Sequence, residues 1–195
     1  MKKILICFCL LFPIYGEAMI CEIADKELCD NASQGDAKAQ FKMGLLYKTG
    51  DGVQKDYGKA KKWFEKSSEQ GIAEASLMLG LMYSFGEGVG QDDKKSTVWY
   101  EKAADQGSNI AQSMLGLMYL EGKEVPQDYN KARAWFEKAA NQGDSFAQFR
   151  LAFMYLNGEG APRDYKQAKD WFCKACDNGN QGGCEAIQHV NESCF

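Results

Sequence analysis

The strongest constraint on this chain is a pattern that recurs every 36 residues. The stretch from Gly107 to Gln142 matches again when it is shifted by one period in either direction. Tryptophan marks the same place in each copy, at Trp63, Trp99, Trp135 and Trp171. A supersecondary unit of this size cannot bury its own apolar face, so such copies stack into an elongated array. We therefore expect function on a stacked surface, not in the pocket of a single globule.

Each copy has the pattern of two helices. In the unit 35–70, Ala39, Met43 and Tyr47 fall at i, i+4 and i+8, the spacing of one helical face. A loop with two glycines follows, and Asp56 offers an acceptor that can cap the next helix. The glycine after each second helix can adopt the left-handed conformation that ends it. The sequence thus predicts an all-α, right-handed superhelical solenoid of helix-loop-helix hairpins.

Two features of the hairpin predict close packing. Gly44, Gly80 and Gly116 lie inside first helices, where glycine costs roughly 1 kcal/mol relative to alanine. That cost is explained if the second helix crosses closely at these points. The paired aromatic residues, such as Trp135 and Phe136, should wedge between neighbouring units. A buried Trp135 would make Trp135→Ala cost on the order of 3 to 5 kcal/mol.

The chain divides into a leader, four complete units and two partial ones. Lys2 and Lys3 precede a short apolar run, and Gly16 and Ala18 have the small-residue spacing that a signal peptidase reads. The predicted segments are a signal peptide (1–18), an N-terminal capping helix (19–34), the units 35–70, 71–106, 107–142 and 143–178, and a C-terminal capping half-repeat (179–195).

The leader predicts that the mature chain is periplasmic or secreted, with no membrane span after signal removal. In an alternative, Cys21 is the acylated first residue of a lipoprotein, although Ile20 is bulky where such processing sites are small. The formal net charge of −4, with interleaved positive and negative residues, argues against a nucleic-acid partner. We predict no cofactor.

Three runs of residues carry a family resemblance. They are Ala-x-Ala-Gln-Phe-x-x-Gly-Leu-x-Tyr at 37–47, Gly-x-Gly-Val at 50–53, and Asp-Tyr-x-Lys-Ala-x-x-Trp-Phe-x-Lys-Ala at 128–139. The repeat resembles that of the Sel-one-like repeat (SLR) family, a relative of the 34-residue tetratricopeptide repeat. The resemblance implies an adaptor. We therefore expect an exported scaffold that mediates protein–protein interaction in the bacterial envelope or with a host, its partner a protein or peptide.

A second resemblance concerns the cysteines near the C-terminus. Cys176 and Cys184 are eight residues apart on either side of a helix-ending glycine, similar to the bridge of the Helicobacter cysteine-rich SLR proteins. Two antiparallel helices joined by a tight turn suit such a disulfide. Some of those proteins are described as β-lactamases or penicillin-binding proteins. This implies an alternative function, β-lactamase-like or peptidoglycan-binding activity, with a cell-wall component as the partner.

The remaining cysteines leave several pairings open. Cys21 and Cys29 can pair only if the chain near Cys21 is not helical, and Cys173 with Cys194 is left by elimination. Cys173 and Cys176 also form a Cys-x-x-Cys redox motif, but near a helix C-terminus, where the dipole disfavours a thiolate. A zinc site that adds Cys184 and His189 is a further alternative, although an oxidising compartment favours disulfides. We predict disulfides and no metal.

No catalytic residue is identified from the sequence. His189 is the only histidine, and no Gly-x-Ser-x-Gly elbow or comparable nucleophile motif is present. Ser67 and Ser68 align with alanines in two other units, which favours helix packing over nucleophilic chemistry.

The last candidate is a methionine stripe on the first helices. Methionine adapts its shape and suits a promiscuous binding surface. The predicted partner-binding residues are Lys42, Met78, Met82, Met114, Met118 and Arg150. Apolar residues at helical spacing are more often core, so these side chains alternatively fill the contacts between units. The binding hypothesis predicts that Met78 and Met114 are exposed.

Overall fold

The computed structural model describes residues 26–189. This part of the chain folds into ten α-helices and contains no strand, which confirms the predicted all-α solenoid. The helices are α1 (Lys26–Ser33), α2 (Ala37–Thr49), α3 (Tyr57–Glu69), α4 (Ala73–Phe85), α5 (Asp93–Asp105), α6 (Asn109–Glu121), α7 (Tyr129–Asn141), α8 (Ser145–Asn157), α9 (Tyr165–Asp177) and α10 (Gln181–His189).

The helices stack in chain order. The most extensive packing is within four hairpins, α2 with α3, α4 with α5, α6 with α7 and α8 with α9. Each second helix also packs on the first helix of the next unit. The shorter helices α1 and α10 cover the two ends by packing on α2 and α9. Within residues 26–189, no helix combines the length and apolar character that crossing a membrane requires.

The glycines inside the first helices mark a close helix crossing, as predicted. A Cβ atom built on Gly44 would lie 2.5 Å from the ring of Phe64, and one on Gly116 would lie 2.7 Å from the ring of Phe136. Neither glycine has a positive φ. Their small size, rather than their backbone freedom, is therefore what the crossing requires, because any Cβ would enter a fully buried aromatic ring.

Aspartate caps the N-terminus of every second helix in the complete units. The side chains of Asp56, Asp92, Asp128 and Asp164 each accept a hydrogen bond from the backbone N–H three residues on, at 2.9–3.0 Å. These backbone donors are the main reason that the pKa values of the Asp92 and Asp164 carboxyls lie below their usual range. The prediction of aspartate caps is confirmed.

The aromatic pairs differ from expectation in their first member. Phe136, the second member of its pair, is fully buried, as are its equivalents. Among the tryptophans of the complete units, however, only Trp63 is buried. Trp135 is partly exposed, and the Lys138 Nζ lies 3.9 Å from its ring centroid. Adjacent helical residues point about 100° apart, so a Phe136 centred on the interface leaves Trp135 at its edge.

Candidate functional site

The first helices present a regular set of accessible side chains. If i is the second residue of each first helix, the side chains at i, i+4, i+7 and i+11 are partly or fully exposed in all four units. Because α6 also contacts α8 directly, these helices form one layer of the stack, and we call this set the inner face. Its rows are Lys38, Lys42, Leu45 and Thr49; Glu74, Met78, Leu81 and Phe85; Ile110, Met114, Leu117 and Glu121; and Phe146, Arg150, Phe153 and Asn157.

Large apolar side chains are exposed on the inner face. Phe85 is 71% exposed, Ile110 54% and Phe146 40%. They lie in three consecutive units. A row of exposed apolar side chains rimmed by charges is typical of a protein-interaction surface.

The predicted methionine stripe lies partly on this face. Met78 and Met114 are partly exposed inner-face residues, at the positions equivalent to Lys42 and Arg150. Met82 is not part of any surface, because its side chain is completely buried in the core with residues such as Tyr47. Four residues advance a helix by slightly more than one turn, so Met82 is rotated from Met78 towards the second helix.

A large cleft opens between the third and fourth units. Its volume is about 460 Å³, and its lining includes Leu120, Tyr129, Phe149, Arg150, Phe153 and Glu159. We call it the large cleft. Three aromatic rings and one guanidinium group thus line the same cleft. The cleft can hold an apolar side chain beside an acidic one.

Within the part of the chain that the structure describes, the Arg150 guanidinium has no acidic partner. It stacks over the ring of Phe146 at 5.3 Å, its Nε is buried without a hydrogen-bond acceptor, and no carboxylate of the described residues forms an ion pair with it. Glu159 lines the same cleft but accepts a hydrogen bond from Asn157 instead. A guanidinium in this state favours binding of a carboxylate or another anion.

A smaller cleft occupies the equivalent place between the second and third units. Its volume is about 150 Å³, and we call it the small cleft; its lining includes Ser84, Tyr100, Met114, Leu117, Met118 and Glu124. Met118, another predicted partner-binding residue, therefore faces this cleft. Burial raises the pKa of Glu124, and the nearby Asp93 raises it further. The two clefts thus differ in polarity, although they repeat the same geometry.

The cysteines lie at the ends of the stack. Cys176 in α9 and Cys184 in α10 form a disulfide, with their Cα atoms 4.7 Å apart. Cys29, in α1, and Cys173, in α9, each take part in a further disulfide. The predictions for Cys21 and Cys194 lie outside the described residues. Because Cys173 and Cys176 do not bond to each other, they do not form the dithiol pair of a redox motif.

The alternative zinc site is not assembled in this structure. A cysteine held in a disulfide offers no thiolate to a metal. In residues 26–189, no three His, Cys, Asp or Glu side chains are grouped so that they could hold a metal ion.

The repeats themselves identify the family. The Sel1 repeat profile matches four consecutive segments, residues 37–72, 73–108, 109–144 and 145–180. The chain belongs to the Sel1 repeat family. Each matched Sel1 unit begins at the first residue of a first helix, two residues later than the unit boundaries predicted above.

Solved Sel1 repeat structures resemble the chain closely. The protective antigen c5321 of uropathogenic Escherichia coli is 39% identical with a TM-score of 0.79, over 85% of this chain and 35% of that one. A Sel1 repeat protein of Oxalobacter formigenes is 40% identical with a TM-score of 0.79, over 84% and 47%. The chain thus spans less than half the length of either. No protein of curated function matches it.

Cysteine-rich protein B of Helicobacter pylori is a more distant relative. It is 28% identical with a TM-score of 0.53, over 70% of this chain and 98% of that one. In this Sel1 repeat chain, the disulfide lies at the junction between α9 and α10, whereas hydrogen bonds link the helices at the three junctions between complete units. Ser68 and Ser76 share a hydrogen bond, while Gln112 and Gln148 each donate from Nε2 to a carbonyl oxygen of the preceding second helix, at 3.0 Å.

Several inner-face residues were missed by the sequence analysis. Within a single helix, the sequence pattern does not distinguish Phe85, Ile110 and Phe146 from buried apolar residues. For the small cleft, which was also missed, the signal lies in the comparison between Sel1 units, since Glu124 and Tyr100 occupy positions where the other units have glycine and phenylalanine. These substitutions change the polarity of one cleft only.

Proposed function

We propose that this Sel1 repeat protein is an exported scaffold that binds an extended segment of a partner protein along its inner face. The observation that carries the proposal is that Phe85, Ile110 and Phe146 are exposed on the same layer of first helices that contributes to the lining of both clefts. The Sel1 repeat is a protein-interaction scaffold fold. Exposed apolar side chains beside preformed clefts provide the anchors that such a segment needs.

The charges along the inner face define the partner further. Lys38 and Lys42 are exposed at one end of the face, and Arg150 lies towards the other. Between them the accessible side chains are largely apolar. The complementary segment therefore carries apolar residues at its centre and an acidic group that reaches Arg150.

The proposed place of action is the bacterial periplasm or beyond. Disulfides persist in oxidising compartments, and Cys176 and Cys184 form one. The leader-like residues 1–18 support export. We propose that the partner belongs to the envelope or to a host. The alternative of β-lactamase-like or cell-wall-binding activity depends on the family resemblance alone, and we do not propose it.

The proposal is tested by peptides selected from a displayed random library on the wild-type chain. Their affinity for Ile110→Asp and Phe146→Asp should fall by at least about tenfold, because each change places a charge in an apolar contact. Val98→Asp is the matched control, since Val98 is 60% exposed but lies on the second helix α5. Selected peptides whose affinity responds equally to all three changes, or to none, would overturn the proposal.

A further inference from the structure

We propose that the large cleft binds the C-terminal residue of a polypeptide, a residue with a large apolar side chain whose free α-carboxylate pairs with Arg150. The claim that this residue ends the partner segment rests on the proposed function above, because the inner face is what brings the segment to the cleft. The chemistry of the cleft itself can be tested without the partner. Three observations support the proposal.

The first observation is a guanidinium group that is held in place but not paired. The Arg150 guanidinium stacks 5.3 Å from the centroid of the Phe146 ring, and its buried Nε has no acceptor. The equivalent residues of the second and third units are uncharged, at Met78 and Met114. A buried N–H without an acceptor costs free energy, and a planar fork of donors matches the two oxygens of a carboxylate. The fourth unit therefore offers a carboxylate site that its two predecessors lack.

The second observation is an aromatic wall that is already formed. The rings of Phe149 and Phe153 meet edge to face with their centroids 4.9 Å apart. Phe172 of α9 backs both rings, at 5.8 Å from Phe149 and 5.1 Å from Phe153. Helix α10 also packs closely there, since a Cβ built on Gly182 would lie 3.0 Å from the Phe149 ring. These contacts fix the wall beforehand, so an apolar side chain binds it with little loss of side-chain entropy.

The equivalent place at the first junction is closed by the chain's own charges. There the Lys48 Nζ lies 2.8 Å from the Glu87 Oε2. In the large cleft the equivalent residues are Leu120 and Glu159, so the acid is kept and the lysine is replaced by an apolar side chain. Glu159 accepts a hydrogen bond from Asn157 at 3.3 Å. Its second oxygen suits the N–H of a bound residue, and its charge disfavours a ligand with an additional acidic group.

The third observation is the place of the cleft on the inner face. Arg150 and Phe146 belong to α8, the first helix of the last complete unit. In α10 the positions equivalent to Phe146 and Arg150 are Gly182 and Ala186, which offer neither a ring nor a charge. A segment that follows the exposed apolar side chains of the inner face therefore makes its final charged contact at Arg150. This arrangement favours a chain end in the cleft over a chain that continues past it.

A terminal residue brings both chemical groups at once. Its carboxylate and its side chain are attached to the same Cα atom, so pairing with Arg150 leaves the side chain beside the aromatic wall. An internal aspartate or glutamate brings a carboxylate only, and a neighbouring residue has to fill the wall. The cleft volume of about 460 Å³ suits one large residue and the peptide group before it.

The test uses small probes that need no partner protein. Nα-acetyl-phenylalanine is titrated into the ¹⁵N-labelled full chain, and we expect saturable shifts of the backbone amide signals of Phe149, Arg150 and Phe153. Nα-acetyl-phenylalaninamide keeps the ring without the charge, and should bind at least about tenfold more weakly. Equal binding of the two probes, or no shift at any of the three residues, would overturn the proposal.

A third probe separates a terminal carboxylate from an acidic side chain. Nα-acetyl-aspartyl-phenylalaninamide carries a carboxylate next to the ring but has no free C-terminus. It should bind at least about fivefold more weakly than Nα-acetyl-phenylalanine. If it binds as tightly or more tightly, any acidic residue beside an aromatic one satisfies Arg150, and the assignment of a chain end is wrong.

Two variants locate the groups that bind the probes. Arg150→Met copies Met78 and Met114, so the fold already accommodates it. It should weaken Nα-acetyl-phenylalanine by at least about tenfold and leave the affinity of the amide unchanged, a difference that a purely structural arginine would not produce. Phe153→Leu, which copies the other three units, should weaken both probes alike. Lys42→Met removes an exposed cation at the equivalent position of the first unit and is the matched control. A loss with Lys42→Met equal to that with Arg150→Met would refute the site.

The two proposals fail separately. If Nα-acetyl-phenylalanine binds at Arg150 while no selected peptide depends on Ile110, the inner-face scaffold is wrong and the carboxylate cleft stands. If selected peptides depend on Ile110 but bind equally well with a free and an amidated C-terminus, only the assignment of the chain end is wrong.

Discussion

Ser68 and Ser76 face each other across the junction between the first and second repeats, with their Oγ atoms 2.6 Å apart. They occupy the same two positions as Cys176 and Cys184 at the last junction. At both junctions the end of a second helix is joined to the start of the helix that follows. A hydrogen bond joins α3 to α4, and a covalent bond joins α9 to α10. The junction geometry is set by the helices, and the side chains fill it.

This equivalence predicts an engineered disulfide. The double variant Ser68→Cys, Ser76→Cys should oxidise without a catalyst and stabilise the chain by about 2–3 kcal/mol, because the bridge closes a short loop in the unfolded state. Intact mass under oxidising conditions detects the bond, and urea unfolding with and without reductant measures the gain. The single variant Ser68→Cys is the control. Persistent free thiols in the double variant would show that the two junctions differ in geometry.

A methyl group at the helix crossing should destabilise the stack. Gly116→Ala places a Cβ 2.7 Å from the buried ring of Phe136. The overpacking costs about 1–3 kcal/mol, which outweighs the gain of roughly 1 kcal/mol in helix propensity. Urea unfolding should show a net loss. Gly58→Ala, on the exposed side of α3, is the control and should cause a smaller loss, because its Cβ would meet only the Asp56 Oδ1, at 3.3 Å; equal effects at both glycines would contradict the packing argument.

The tryptophans should contribute unequally to stability. Trp63 is 4% exposed, so Trp63→Ala should cost on the order of 3 to 5 kcal/mol. Trp135 lies at the edge of its interface beneath Lys138, and Trp135→Ala should cost less than about 2 kcal/mol. Chemical unfolding of the two variants measures the difference. A larger loss at Trp135 would mean that the edge position carries more of the packing than its exposure indicates.

The aspartate caps predict a specific acid sensitivity. Backbone N–H donors lower the pKa values of Asp92 and Asp164 in the folded chain. Their contribution is therefore complete above the unfolded pKa of about 3.9 and is lost as the pH falls through the lower folded values. The double variant Asp92→Asn, Asp164→Asn should show a shallower loss of the unfolding midpoint below about pH 4. Identical pH profiles for variant and wild type would exclude this linkage.

The sequence alone determines the helices unusually well because the period averages over four copies. Asp56 and its equivalents recur with the glycines that end the helices, so each boundary is indicated several times. Exposure was harder to predict. Met78 and Met82 both fit the helical spacing of apolar residues in α4, yet only the Met78 side chain is accessible. The position of Met78 carries a charged residue in two other units, Lys42 and Arg150, and a stack with one repeated geometry exposes such a position in every unit.

The small cleft could not be predicted from a single position. Glu124 and Asp93 are 31 residues apart in sequence, and each alone reads as a surface substitution. Their proximity depends on how the loop after a first helix packs on the preceding unit's second helix. Tyr100 is ambiguous in the same way, because a tyrosine at a core position usually finds a hydrogen-bond partner.

Each junction of this stack is closed by atoms of the two helices that meet there, whether through Ser68 and Ser76, through Gln148, or through the disulfide. None of these bonds depends on a bond at another junction. Unequal recombination between such similar copies can therefore add or remove a whole unit without disturbing the joints that remain. The number of units in this architecture can therefore follow the length of the partner, and the greater length of two relatives is consistent with this.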